Sequence, residues 1–532
     1  MSKGISVTSR PGGSGHIAPA AAVMKKICRV AALLLLSLWP PLSAWTAGNP
    51  LQETARFTPQ VMESMLDADF WISRTPDPDA VLLSPDGIGR FNRFLAAEFG
   101  LKLSAESCGG SSILKKNKPC RFYSPTPRQA AENELVGGFT QEIEHHPELS
   151  AEQVRSLIEA YSLPYGKGRL TGLREPAPDR AYDRLREEMN LAALPERVKP
   201  LWGVTLRRTA IRSFPTAERS LAASDQYGFD LFQETEADLW TPLVILHRSK
   251  NGLWAFVRIY HYDGWMKIDN IAVANDKEAL FSLLSQREFL VATGSWVESQ
   301  IAGDGSPRVR FMMGTRIPLV PREQIPRHLG GQNPQANFVV WVPGRNERGF
   351  FSPIMAYIST QADVHPGHLP YTRRNLLRQA FKMVGERYSW GGSFEGRDCS
   401  RLLVDVYRTV GIMLPRNASQ QAKVGVDRFG NDAGDRFTRL KPGTALYMPG
   451  HAMMFIGNYD GKSYILHSTA GFRNIPGEAV RPVLAVVVSD MSVLADGIRT
   501  IKAAREFVLP DDDSGNNTSQ TRTHSGEIRN PE

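Results

Sequence analysis

The stretch that decides the fold is RYSWGGSFEGRDCSRLLVDVYRTVGIMLPR, residues 387–416. Gly391, Gly392 and Gly396 predict a tight loop, and apolar residues then recur at the spacing of one helical face up to Val410. Asp398 suits the N-cap of this helix and Gly411 suits its end. Cys399 would then occupy the first helical turn, where unpaired backbone N–H groups and the helix dipole favour an anion. The segment therefore predicts a thiolate nucleophile where a loop meets a helix.

A second stretch, PGHAMMFIGNYDGKSYILHS at residues 449–468, predicts two strands with a histidine near each. We place the strands at 452–456 and 462–466, joined by a five-residue loop. In that register His451 lies opposite His467, close enough for the imidazoles to form a hydrogen bond. A two-residue turn at Asp460-Gly461 is the alternative, and it would place the histidines on opposite faces.

Together these residues predict a Cys-His-His hydrolase. His451 takes the proton from Cys399 and later gives it to the leaving amine, while His467 holds the tautomer of His451. The backbone N–H of Cys399 and the hydroxyl of Tyr388 could stabilise the oxyanion. The alternative for either histidine alone is a structural residue at a strand end. We predict no metal and no cofactor.

The amino terminus has the pattern of an export signal. Lys25 and Lys26 precede the apolar run AALLLLSLWPPLSAW, residues 31–45, which is too short to span a bilayer comfortably. We predict a signal peptide over residues 1–47, with Met24 as an alternative start. The protein would then be exported to the periplasm or cell envelope with no stable membrane span. An uncleaved membrane anchor is the alternative.

Three cysteines remain after residue 47. Cys108 and Cys120 are twelve residues apart and could close a small disulfide in an oxidising compartment. Cys399 then stays unpaired, and a free thiol in an exported protein suggests a nucleophile. The alternative is a small buried apolar residue.

The composition is globular and excludes several classes of protein. Apolar residues make up 42% and charged residues 22% of the 532 residues, which excludes wholesale disorder and collagen-like structure. The net charge is +8, but five cations and no acid lie in residues 1–47, so the rest of the chain carries +3. That balance gives no argument for nucleic-acid binding.

The length predicts three or four domains. Residues 48–195 mix helical patches with proline-rich breaks and predict a mostly helical N-terminal domain. Short β-rich runs follow, with Asn251-Gly252 as a hairpin signal. They predict two small β-barrels, at 196–285 and 286–350.

The last folded part is the predicted catalytic domain, residues 365–509, which contains the cysteine and both histidines. The tail, residues 510–532, lacks apolar periodicity and is predicted to be disordered. The sequence as a whole predicts a multidomain α+β protein.

The motifs resemble those of the NlpC-type cell-wall cysteine peptidases of the NlpC/p60 superfamily. The matching pieces are the loop RYSWGG, the nucleophile motif RDCS, the LPRN segment, and the strands PGHAMMFIG and YILHS. The two β units resemble the bacterial SH3-like domains of multidomain members, and the helical N-terminal part resembles their clip-like domain. The resemblance implies a papain-like α+β fold for the catalytic domain.

The resemblance also implies hydrolysis of peptidoglycan stem peptides, usually between γ-D-glutamate and meso-diaminopimelate. It assigns contacts with a free L-alanine amine to Tyr388, Asp398 and Ser400, and further substrate contacts to Asn417 and its neighbour. That neighbour, Ala418, departs from the Asp-Ser pair of some relatives and cannot offer a side-chain hydrogen bond. A small barrel beside the site would admit only stem peptides with a free amino terminus.

Two other functions stay open at this point. A CHAP-like amidase would use the same residues to cut the N-acetylmuramoyl-L-alanine bond. A non-catalytic scaffold would bind the cell wall, although the intact set of Cys399, His451 and His467 argues against it.

Overall fold

The computed structural model describes residues 61–99, 148–162, 169–178, 180–223, 228–301, 308–429, 436–472, 480–494 and 497–509. The predicted signal peptide, Cys108, Cys120 and the predicted tail lie outside these residues. Within the described part of the chain, no helix is both long enough and apolar enough to cross a membrane.

Helices dominate the described residues before residue 200. The elements are α1 (Ala68–Ile72), α2 (Pro85–Phe99), β1 (Leu149–Ser150), α3 (Ala151–Tyr161), β2 (Leu170–Thr171), α4 (Ala181–Glu188) and β3 (Arg197–Val198). Ser150 and Gln153 form a capping box at the start of α3, which satisfies two backbone N–H groups that the helix leaves free.

These helices divide between two cores. Trp71 and Phe91, from α1 and α2, pack with apolar side chains of the last domain. Val154 and Leu157, from α3, pack with the first β unit. The sequence predicts one N-terminal domain over residues 48–195. The described helices of this segment instead pack into the core of the last domain and into the core of the first β unit.

The first β unit is an antiparallel sheet with the order β11-β4-β8-β9-β10-β5-β7. Its strands, together with β6, which pairs with β2, are β4 (Leu201–Thr205), β5 (Thr209–Arg212), β6 (Ser220–Leu221), β7 (Gln233–Ala237), β8 (Pro242–Arg248), β9 (Trp254–Ile259), β10 (Tyr262–Lys267) and β11 (Ile271–Val273). The predicted hairpin at Asn251-Gly252 is confirmed, because β8 and β9 pair and Gly252 has a φ of +72°. Helix α5 (Lys277–Leu284) follows.

The second β unit has two small sheets, β15-β12-β18 and β14-β13-β17-β16. Its strands are β12 (Phe289–Ala292), β13 (Trp296–Ile301), β14 (Val309–Met312), β15 (Arg316–Pro318), β16 (Asn337–Arg345), β17 (Phe351–Ser359) and β18 (Val364–Pro366). The unit thus continues past residue 350, because β17 pairs with β16 along its whole length and β18 pairs with β12.

The C-terminal domain combines helices with a six-stranded antiparallel sheet in the order β19-β24-β20-β21-β22-β23. The helices are α6 (Arg373–Phe381), α7 (Cys399–Thr409), α8 (Ala418–Gln421) and α9 (Gly497–Thr500), and the strands are β19 (Val426–Asp427), β20 (Ala445–Met448), β21 (His451–Tyr459), β22 (Lys462–Phe472), β23 (Arg481–Asp490) and β24 (Ala503–Glu506). Short 3₁₀ helices lie at Glu63–Leu66, Leu191–Ala193, Ile268–Asn270, Arg322–Gln324, Pro334–Ala336, Trp390–Glu395 and Met491–Leu494. The multidomain α+β class is confirmed.

The hairpin of β21 and β22, which carries His451 and His467, forms with the two-residue turn rather than the predicted five-residue loop. β21 and β22 are joined by the two residues Asp460-Gly461, with Tyr459 paired to Lys462, so the predicted five-residue loop and its register are wrong. The favourable Asp-Gly turn explains the outcome, since Asp460 and Gly461 both adopt the positive φ that such a turn requires. In that register, continued along the strands, His451 and His467 would lie on opposite faces.

A β-bulge reverses this consequence. Ile456 has no partner on β22, and beyond it Phe455 pairs with Ile465 and Met454 with Leu466. The extra residue shifts the register by one and exchanges the two faces of the remaining strand. His451 and His467 therefore return to one face as diagonal neighbours.

Candidate active site

The cysteine lies where the sequence predicts it. Cys399 is the first residue of α7, and the carboxylate of Asp398 caps the helix by accepting a hydrogen bond from the Arg401 N–H at 2.9 Å. Cys399 is half-buried and is the free cysteine among the described residues. The backbone N–H groups of Ala452 and Ser400 approach its sulfur and favour the thiolate. Because Ala452 follows His451, this contact brings the start of β21 to the thiol.

Burial nevertheless keeps the thiol protonated. Loss of solvent, followed by the negative charge of Asp398, raises the pKa of the Cys399 thiol to about 12. Burial lowers the pKa of His451 to about 4. Both groups are therefore neutral at pH 7, and a thiolate must form by proton transfer. The helix start favours the thiolate, but burial of the thiol and the negative charge of Asp398 outweigh this effect on the pKa of Cys399.

The two histidines form a hydrogen-bonded pair. Nε2 of His451 lies 2.8 Å from Nδ1 of His467, and the ring centroids are 5.1 Å apart. Nε2 of His467 lies 3.2 Å from Oγ of Ser489 on β23. His467 is 1% exposed, and its burial, followed by the charge of His451, holds its pKa well below the usual value. The pair is neutral, and the second ring nitrogen of His451 is Nδ1, which takes no part in the contact with His467.

Tyr388 lies beside the nucleophile. Its backbone bridges to Arg397, two residues before Cys399. Burial raises the pKa of Tyr388 well above 10, and the charges of Cys399 and Asp398 raise it further, so the phenol keeps its proton. Its ring centroid lies 5.9 Å from that of Phe229 in the first β unit. Tyr388 therefore offers a hydrogen-bond donor at the boundary between two domains.

The remaining predicted substrate residues surround Arg416. Its guanidinium binds both carboxylate oxygens of Asp398, at 3.1 and 2.5 Å, and the Ser400 hydroxyl at 2.9 Å. Arg416 lowers the pKa of Asp398 against the opposing effect of burial. Asn417 is exposed and precedes α8. Asp398 and Ser400 thus lie beside the cysteine with their polar atoms already bonded, and a substrate ammonium would share the Asp398 carboxylate with Arg416.

The glycine loop before the nucleophile is shaped by the first β unit. Gly391 and Gly392 have φ values of +57° and +82°. A Cβ atom on Gly392 would lie 2.7 Å from Oε2 of Glu236, and one on Gly391 would lie 2.8 Å from Cγ of Gln233. The Gln233 side-chain amide also donates to the Gly391 carbonyl at 2.9 Å. The loop therefore requires glycine for its backbone and for its contact with β7.

Buried ion pairs join the nucleophile helix to the same β unit. Asp238 binds Arg401 and, at 2.6 Å, Arg408, both from α7. Arg208 donates to the carbonyls of Glu395 and Gly396 at 2.6 and 2.7 Å. Nothing local in the sequence marks Arg208 or Asp238, because their partners are more than 160 positions away and a charged residue beside a strand ordinarily suggests a solvated surface.

The second β unit contacts the nucleophile motif RDCS, residues 397–400, through Arg397. Its guanidinium donates to the Ser295 carbonyl at 2.6 Å and to the Ser295 hydroxyl at 2.9 Å, and it binds Glu386 at 2.6 Å. Asp405 of α7 accepts its Nε at 2.7 Å. The residue two positions before the cysteine is thus held by a different domain from the one that holds the glycine loop.

No group of three or more His, Cys, Asp and Glu side chains suited to a metal ion occurs in the described part of the chain.

Comparison with known proteins gives the class of protein that this site belongs to. Residues 385–479 match the NlpC/P60 family, and residues 218–267 match the SH3 domain of the SH3b1 type. The chain therefore carries an NlpC/P60 domain preceded by a bacterial SH3 domain.

Solved structures were also compared with this chain. An NlpC/P60 endopeptidase from Photobacterium damselae subsp. piscicida is 16% identical, with a TM-score of 0.58 over 82% of this chain and 94% of that one. An NlpC/P60 family protein from Bacillus cereus is 18% identical, with a TM-score of 0.42 over 58% of this chain and 100% of that one. The first likeness extends the shared fold over most of the chain. No match was found among curated proteins.

Proposed function

We propose that this protein is an exported cysteine endopeptidase that hydrolyses peptidoglycan stem peptides at the bond between γ-D-glutamate and meso-diaminopimelate. The observation that carries the proposal is the 2.8 Å contact between His451 and His467 beside the helix that begins with Cys399. The NlpC/P60 match over residues 385–479 supports the class of reaction. The export pattern at residues 1–47 is consistent with a substrate in the cell envelope and gives no reason to expect a nucleic-acid partner.

In the proposed mechanism, Nδ1 of His451 takes the proton from Cys399 as the sulfur attacks the γ-carbonyl carbon. The carbonyl π electrons move to oxygen, and the oxyanion is bound by the Cys399 N–H and the Tyr388 hydroxyl. The C–N bond then breaks, and His451 gives its proton to the diamino acid nitrogen. Water, deprotonated by His451, attacks the thioester, and the released thiolate recovers the proton.

We assign the substrate's free ammonium to the region of Asp398, Ser400 and Tyr388, and assign Asn417 to a contact at the exposed edge. A carboxylate that is already ion-paired with Arg416 attracts a second cation less strongly, so Tyr388 would supply much of the selectivity for the amine. The contact of β7 with the glycine loop places the first β unit beside the segment that precedes the nucleophile, which supports the preference for stem peptides released from glycan.

The experiment is a comparison of three substrates by mass spectrometry: L-Ala-γ-D-Glu-meso-diaminopimelate, the same peptide attached to N-acetylmuramic acid, and intact sacculi. We expect release of L-Ala-γ-D-Glu from the free tripeptide and at least tenfold slower cleavage of the two attached forms. Equal rates on all three would contradict the free-terminus preference. Release of an intact peptide from muramic acid would indicate an amidase, and no cleavage of any substrate would indicate a binding scaffold.

A further inference from the structure

The histidine pair continues into a third strand of the sheet. His467 on β22 pairs directly with Val487 of β23, and Ser489 is two residues further along the same strand. Side chains two apart in a strand share a face, so Ser489 is the diagonal neighbour of His467, just as His467 is of His451. Its hydroxyl oxygen lies 3.2 Å from Nε2 of His467. Both residues are almost fully buried, at 0% exposure for Ser489 and 1% for His467.

The proton positions along this chain are linked. For His451 to accept a proton at Nδ1, its own proton must be on Nε2, which then donates to Nδ1 of His467 across the 2.8 Å contact. His467 must then carry its proton on Nε2, directed at Ser489. In the opposite tautomer His467 donates to His451, the His451 proton moves to Nδ1, and the base is lost.

We propose that Ser489 is a positioning residue that accepts the Nε2 proton of His467 and thereby keeps His451 in the tautomer that can deprotonate Cys399. The inference rests on the proposed function of the cysteine and the two histidines. A buried N–H without a partner costs free energy, so removing the Ser489 hydroxyl favours the tautomer in which Nε2 carries no proton. The helix and the thiol stay in place, while the supply of competent base falls.

The test measures alkylation of Cys399 by iodoacetamide in the full chain, quantified by mass spectrometry of the Cys399 peptide at pH 7. The rate depends on proton transfer to His451 and requires no peptidoglycan substrate. We expect Ser489→Ala to lower the rate about tenfold to a hundredfold, and Ser489→Thr, which keeps the hydroxyl, to restore most of it. Thr444→Val is the matched control, since Thr444 is a buried hydroxyl of the same domain that bonds to the Lys441 carbonyl at 2.7 Å.

A structural role alone would lower the melting temperature of Ser489→Ala and Thr444→Val alike and leave the alkylation rate unchanged. Wild-type rates in a folded Ser489→Ala variant would overturn the proposal. A second readout is the ¹⁵N spectrum of His467, where we expect a proton on Nε2 in the wild type and a shift towards Nδ1 in Ser489→Ala. A wild-type spectrum with the proton on Nδ1 would also overturn it. Because neither readout uses a stem peptide, a wrong substrate assignment would leave both results interpretable.

Discussion

Helix α7 and the hairpin of β21 and β22 place their functional side chains side by side, but different interactions determine the two positions. The position of Cys399 is set locally, by the Asp398 cap, the apolar periodicity of α7 and the left-handed Gly411, all within fourteen residues. The position of His451 depends on a turn and on a bulge five residues along its strand. Local signals can be recognised in a sequence, whereas strand register results from the sum of distant contacts.

The largest expected effect comes from removing the sulfur of Cys399. We expect Cys399→Ala to abolish hydrolysis, a loss of about 10⁴-fold or more, because alanine has no nucleophilic atom and the adjacent Ser400 hydroxyl is already bonded to Arg416 and Asp398. Its melting temperature should stay close to that of the wild type, since alanine suits the first helical turn. Rates by mass spectrometry and melting by circular dichroism provide the two measurements, and strong destabilisation would favour a buried structural role for the thiol.

The two histidines of the β21–β22 hairpin have unequal roles in the proposed mechanism. We expect His451→Ala to lower kcat about 10⁴-fold and His467→Ala about 10²-fold, because a base is less dispensable than the group that orients it. The substrate KM should change little in both variants. Equal and complete losses would contradict this order and assign a direct chemical role to His467.

The bulge can be tested at Gly457, the residue that follows it. Gly457 has a φ of +145°, and a Cβ atom there would lie 3.0 Å from Cε3 of Trp71 in α1. We expect Gly457→Ala to lower the free energy of unfolding by about 3 kcal/mol and to reduce kcat, because the shift of register is disturbed.

Gly461→Ala is the matched control for that variant. Gly461 has a φ of +72° and no atom within 4 Å of the added Cβ. Gly461→Ala should therefore lower the free energy of unfolding through backbone strain alone, by about 1 kcal/mol, and should retain the wild-type kcat. If Gly457→Ala kept full activity per folded molecule, the bulge would not be what aligns the histidines.

The smallest expected effect is a displaced acid limb in the pH profile of kcat/KM. His451 acts as a base only while neutral, and burial lowers its pKa to about 4 from a usual value near 6.5. A lowered pKa extends the neutral form to lower pH, so activity should stay near its maximum at pH 5.5 and fall by half near pH 4. A half-maximum near 6.5, measured on protein shown to remain folded, would indicate an exposed imidazole.

Part of the site could be predicted from the sequence because its signals are short-range. The cap, the helix start and the Asn251-Gly252 hairpin all depend on neighbouring residues. The prediction that the histidines meet was correct for a wrong reason, since the register differed and the unpaired Ile456 compensated for it. Nothing in the local pattern of alternating side chains marks that bulge.

The contacts between domains could not be predicted at all. Two of these contacts join residues that are more than 150 positions apart, namely the close approach of Gly392 to Glu236 and the ion pair of Asp238 with Arg401. Each charge alone is compatible with a solvated strand or helix, and only the folded arrangement neutralises it. The end of the second β unit was missed because β17 contains a proline and several exposed residues, which hides its alternation.

The most direct test of the account is to trap the covalent intermediate. The full chain is mixed with L-Ala-γ-D-Glu-meso-diaminopimelate, quenched in acid within seconds, digested, and analysed by mass spectrometry. We predict an L-Ala-γ-D-Glu acyl group on the peptide that contains Cys399, absent from Cys399→Ala. Continued cleavage of the tripeptide by Cys399→Ala, or turnover with the acyl group on another residue, would contradict the assignment of Cys399 as the nucleophile.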